Sequence, residues 1–141
     1  MTMDSLSPQD ALVAVMTAVS AADQNMTDRE VASITSIIEG LPVFHGYGRE
    51  RISTVAGMVA DLFEEEDGLD ALLGLVEEAL PEHLRETAYA LACDVAAADG
   101  RVAMAELRFL ELLRYSLSIG RLAAAAIERG ARARHQRLEP R

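Results

Sequence analysis

Residues 11–37 align without a gap on residues 87–113, at an offset of 76, and this internal repeat restricts the chain more than any other feature. The identities are Ala14/Ala90, Val19/Val95, Ala21/Ala97, Ala22/Ala98, Asp23/Asp99 and Glu30/Glu106. The alanines count for little in an alanine-rich chain. The apolar pairs Val15/Leu91, Met26/Val102, Val31/Leu107, Ile34/Leu110 and Ile37/Leu113 carry more weight. So does the position of the turn: Ala-Ala-Asp-Gln-Asn-Met at 21–26 answers Ala-Ala-Asp-Gly-Arg-Val at 97–102. In each copy a helix ends at an Asp, an apolar residue follows three later, and a Glu stands seven after the Asp. Two such copies predict two helical hairpins, related by a pseudo-twofold and packed on one another.

The rest of the chain also reads as helix, with no long period-2 alternation and few β-branched runs. Ser7-Pro8 has the form of an N-cap and first helical residue, with Leu12, Val15, Met16, Val19 and Ala22 on one face. Asp23-Gln24-Asn25 ends that helix. Thr27 and Glu30 form a capping-box signature for the second, whose face is Val31, Ile34, Ile37 and Ile38. A third helix is predicted from about Arg49 to Phe63, with Ile52, Val55, Met58, Val59 and Leu62 inward. A fourth spans Leu69 to Leu80. Pro81 opens a fifth, burying Leu84, Ala88, Leu91, Ala92 and Val95, and Asp99-Gly100 ends it. Leu107, Leu110, Leu113 and Leu117 face the core from a sixth. Ser118 is a candidate cap for a seventh, reaching about His135. The expectation is an all-α fold of six to seven helices in two related halves. It forms a single domain over 1–141, with a core of about 8–135 and a basic tail of about 129–141 that frays past about 130.

Charge narrows the function classes. Every basic residue is Arg; residues 1–120 carry 21 acids against 7 Arg, while residues 121–141 carry 6 Arg against 2 Glu, for a total of −10. So acidic a body repels phosphate backbones and argues against nucleic-acid binding, while it attracts cations and basic partners. The tail's Arg129, Arg132, Arg134, Arg137 and Arg141 either bind an acidic partner or suit the negative end of a helix dipole. The longest nearly apolar stretch, Ala11 to Ala22, is 12 residues, too short to span a membrane. The N-terminus lacks a signal-peptide pattern and Cys93 is the lone cysteine, so a cytoplasmic location is expected. No hydrolase, nucleotide-binding or dinucleotide motif is present, and a non-enzymatic role is expected. Cys93 reads as a small buried hydrophobe, and His45, His83 and His135 as scattered. Asp94 reads as solvated or as a weak auxiliary to Asp99, and the run Glu64–Asp67 as a solvated linker at a helix end.

Asp23, Glu30, Asp99 and Glu106 remain as candidates for chemistry. An Asp at a helix C-terminus faces a dipole end that is already negative, so something compensates. It either shapes a turn by accepting backbone N–H bonds or holds a cation. The two Glu residues sit where N-terminal capping favours them. Ala103, at the second copy's cap position, has no hydroxyl to complete a box, so only half of a capping box, satisfying one N–H, is expected around Glu106. Oxygen-only ligands suit Ca²⁺, Mg²⁺ or Mn²⁺. The pattern is not an EF-hand: a loop begun at Asp23 puts Asp28 at the glycine position and Ile34 at the bidentate-Glu position.

The doubled A-x-x-A-A-D…E pattern resembles the TerB-like tellurite-resistance family, over roughly residues 8–135. The second copy, Val95-Ala-Ala-Ala-Asp-Gly-Arg-Val…Glu106, is the closer match; the first has Gln24 where the family usually has Gly. The resemblance implies an all-α fold of two intertwined halves and a carboxylate-lined metal site. It also implies a role in tellurite or chemical-stress resistance beside other proteins of the same system. Tellurite is itself an oxyanion, which a bare acidic cluster repels. The alternative is an acidic adaptor for a basic protein partner, in which the carboxylates only shape turns and caps.

Overall fold

Ser7 opens the first helix, as its sequence predicts: its hydroxyl accepts the Asp10 N–H at 3.0 Å and Pro8 follows it. The computed structural model describes residues 6–22, 28–98 and 102–139. Among these it has seven α-helices and no strand. They are α1 (Pro8–Ala21), α2 (Asp28–Gly40), α3 (Glu50–Phe63), α4 (Gly68–Ala79), α5 (Arg85–Ala97), α6 (Met104–Ser116) and α7 (Arg121–Arg134). Short 3₁₀ turns, Pro42–Phe44 and Glu82–Leu84, precede α3 and α5.

The first helix of each repeat copy lies at the centre. α1 packs against α3, α4 and α5, and α5 packs against α1, α7, α2 and α6. Every residue of α1 from Asp10 to Ser20 is buried. That goes beyond the single face expected of it. Ala11, Val13, Ala14 and Ala18 are as inaccessible as Leu12 and Met16, while Ala22 is half-buried. A helix that is apolar on all sides has to be enclosed on all sides, and α1 is.

Several other inward positions need correcting. Val31 on α2 is 47% exposed and its repeat partner Leu107 on α6 is 44% exposed. Ile34 and Ile38 seat α2, and Phe109, Leu110 and Leu113 seat α6. Each helix thus buries its first apolar side chain after the position at which its apolar pattern starts. Ile52, Met58 and Leu84 are half-buried, and Leu84 belongs to the 3₁₀ turn before α5.

Ser118 does not cap the seventh helix; it closes the sixth. Its φ is 57°, the left-handed conformation usual for glycine at this position. The Ser118 N–H donates to the Tyr115 carbonyl and the Ile119 N–H to the Arg114 carbonyl, both at 3.1 Å, the pairing of a Schellman motif. The buried Ile119 follows it into the core, and Gly120 is the N-cap of α7.

The tail is also docked further than its composition predicts. Ala124 and Ala131 are buried, α7 lies on α5, and Arg134 pairs with Asp94 at 2.7 Å. Asp94 is therefore an anchor for α7 and not a solvated residue. Residues 136–139 are exposed. Deleting 136–141 is expected to change unfolding stability by less than about 0.5 kcal/mol, whereas Asp94→Ala lowers the melting temperature by releasing Arg134. Thermal unfolding of the two variants checks both.

Candidate cation site, buried polar clusters and an acidic-rimmed pocket

Glu30 and Glu106 are each the third residue of their helix, α2 and α6, and each is only 3% exposed. Helix N-termini favour carboxylates through the dipole. In α6 the Ala103 N–H donates to Glu106 Oε1 at 3.0 Å. This is half of a capping box, since Ala103 has no hydroxyl to complete it. Asp23 and Asp99, with the first copy's cap Thr27, lie outside the described residues. Among the described residues, no three His, Cys, Asp or Glu side chains form a group able to hold a metal ion.

Beside the N-terminal part of α6 lies an open pocket of about 560 Å³. Ala21 and Ala22 from α1, Phe63 from α3 and Phe109 from α6 line it with apolar surface, and Glu64, Glu65 and Glu66 form its rim. The three glutamates are exposed, as the sequence predicts. Arg108 on the α6 wall pairs with Glu111 at 3.8 Å.

Three polar clusters were not legible in the sequence. Asp10 is buried in α1, where Arg51 from α3 binds it with both arms of its guanidinium, Nη2 to Oδ2 at 2.6 Å and Nε to Oδ1 at 3.0 Å. The Tyr47 hydroxyl donates to Oδ1 at 2.9 Å. Burial disfavours the Asp10 carboxylate, but the bonds from Arg51 and Tyr47 outweigh it and hold the group below its ordinary value near 3.8. The folded state therefore releases this proton more readily than the unfolded chain does. The resulting stability is fully present above about pH 4 and is lost as pH falls from there through the lower folded value. Wild type is expected to lose melting temperature more steeply than Asp10→Asn between about pH 4 and about pH 2. Parallel curves would remove Asp10 from the acid response.

The second cluster joins α5 to α7: the Tyr89 hydroxyl donates to Glu128 Oε2 at 2.5 Å. Burial and then Glu128 push the Tyr89 hydroxyl well above its ordinary range. Cys93, beside it, is buried as expected, and burial pushes its thiol up to about 12 despite the Tyr89 hydroxyl, which favours the thiolate. It is a neutral thiol at physiological pH, not an activated nucleophile. The third cluster is Asp94 with Arg134, to which His135 adds an Nε2 contact at 3.4 Å. A faint signal did exist for the first cluster, an Asp one residue before an apolar run. Nothing in the sequence paired it with an arginine 41 residues away.

These features define a class: an acidic all-helical protein built around two central helices, each followed in the sequence by an Asp and then by a helix with a buried Glu at its third residue. The family model described as "Tellurite resistance protein TerB" matches residues 9–129, and the chain belongs to that family. No curated protein and no solved structure matches the chain.

Proposed function

We propose that this chain acts as a single TerB-like domain in tellurite or chemical-stress resistance in the cytoplasm. In this reading it works beside other proteins of a resistance system, has no catalytic role, and binds a divalent cation through Asp23, Glu30, Asp99 and Glu106. One observation carries the reading. Glu30 and Glu106, equivalent in the repeat, are both withdrawn from water at the third residue of their helices, each seven residues after an acidic turn. Burying carboxylates is costly unless charge or hydrogen bonds compensate. The donor set is all oxygen, which fits Ca²⁺, Mg²⁺ or Mn²⁺ and not a soft metal. A bound divalent cation would offset half of the charge of the four carboxylates and tie the two copies together.

The adaptor reading is favoured by one observation, the Ala103 N–H bond to Glu106, which is a capping contact. Melting temperatures of wild type and Asp99→Asn, with chelator and with millimolar Ca²⁺ or Mn²⁺, separate the two. The cation reading expects wild type to gain about 2.7 kcal/mol at a hundredfold excess over the dissociation constant. It expects Asp99→Asn to be the more stable protein in chelator, because like charge is removed, and to lose the metal-dependent gain. Equal metal shifts in both proteins, or none in wild type, overturn the cation site and leave the adaptor. Asp99→Ala destabilised alike with and without metal points the same way.

A further inference from the structure

We propose that the pocket rimmed by Glu64, Glu65 and Glu66 receives the C-terminal tail of a second copy of this chain, with Leu138 on its apolar floor and the tail arginines against its rim. The inference is independent of the cation site. It begins with the mixed character of the pocket, which holds about 560 Å³ between apolar surface from Ala21, Ala22, Phe63 and Phe109. Three consecutive carboxylates stand over that surface at the C-terminal end of α3, where the helix dipole is already negative. None of the three forms an ion pair among the described residues, and Arg108 on the facing wall is directed to Glu111. Such a site selects a segment that is apolar at its centre and cationic around it.

The chain carries such a segment. Leu138 is 98% exposed and stands in a stretch, 129–141, holding five arginines against the single Glu139; Arg134 is already paired with Asp94 and Arg137 has a partner of its own, so a rim contact by either exchanges one partner for another. The body and tail are opposite in charge, −14 over residues 1–120 and +4 over residues 121–141. The tail does not fill its own pocket. Arg134 and His135 hold the end of α7 at Asp94 on α5, residues 136–139 are exposed, and none of them lines the pocket. A tail from one copy in the pocket of another is a heterologous contact, which propagates into chains or closes into a ring. The contact is small, so it is weak and concentration-dependent. Long-range repulsion between two acidic bodies is screened within about 8 Å at physiological salt, which leaves the short contact pairs to decide.

The test is sedimentation velocity of the full chain with chelator present, so that no cation bridges two copies. Loading runs from about 5 to about 500 μM, a range suited to a weak interface. Wild type is expected to gain apparent mass across this range. The pocket variant Glu64→Gln/Glu65→Gln/Glu66→Gln and the tail variant Leu138→Asp are each expected to stay at monomer mass. Mixed one to one, the two variants are expected to form a dimer and nothing larger. The pocket variant still offers an intact tail, and the tail variant an intact pocket. This complementation also shows that both variants are folded. A wild type that stays monomeric overturns the proposal, as does either variant associating like wild type. A mixture that fails to dimerise overturns it too.

Discussion

Val13→Asp should leave the chain unable to fold. Val13 is fully buried in α1, next to Met16 at the i, i+3 spacing but on the flank of the face formed by Leu12, Val15, Met16 and Val19. If only that one face were buried, an Asp at position 13 would meet water and change stability by no more than about 0.5 kcal/mol. With α1 enclosed by α3, α4 and α5, the substitution loses about 1.5–3 kcal/mol of apolar burial. It also places a carboxyl group where no cation has been provided, costing several kcal/mol more whether it stays charged or takes up a proton. Total stabilities of such domains are about 5–15 kcal/mol, so most or all of the margin goes. Soluble yield and far-ultraviolet circular dichroism provide the readout. Val13→Thr keeps the shape and buries one hydroxyl; a loss of about 1–3 kcal/mol in urea unfolding is expected for it. Wild-type urea midpoints for both variants would show that α1 has a solvent face.

What the sequence disclosed and what it withheld follow from the range of the forces involved. Helix positions and ends are local matters, and the Ser7-Pro8 start, the α3 and α4 spans and the half box at Glu106 all stand as read. Enclosure is not local. Val31 and Leu107 have the apolar character and spacing of core residues, yet α2 and α6 turn them outward, because how far a neighbouring helix extends is not written in either segment. Ser118 illustrates a different limit. A serine before a helix has two uses, N-cap of the next element or left-handed closure of the last, and the Schellman bonds at Tyr115 and Arg114 decide it. For the candidate site, repetition brought out Glu30 and Glu106, and their burial is the finding the sequence did not contain. Asp10 with Arg51 and Asp94 with Arg134 stayed hidden because each joins helices about 40 residues apart, a separation at which composition carries no pairing information.

Gly68→Ala and Gly74→Ala should move stability in opposite directions, although both glycines belong to α4 and helix propensity favours alanine at each. At Gly74 an added Cβ meets nothing within 4 Å, so the variant gains about 0.4–1 kcal/mol, chiefly because the unfolded chain loses freedom. At Gly68 the Cβ would fall 1.6 Å from the Leu62 carbonyl oxygen and 2.5 Å from its carbon. Those are backbone atoms at the end of α3, and the same oxygen accepts the Glu65 N–H at 3.0 Å. No rotamer relieves the clash; α4 has to move off α3, or the turn 64–67 has to open. Forced repacking of this kind costs typically about 1–3 kcal/mol, more than the propensity gain, so a net loss of about 1 kcal/mol is expected from urea midpoints. The turn also carries Glu64, Glu65 and Glu66, and displacing it takes the pocket rim away from the apolar floor. Gly68→Ala should therefore weaken self-association as well as stability, while Gly74→Ala raises stability and leaves association as it was. If both variants gain stability, the close approach of α4 to Leu62 is not what fixes this turn.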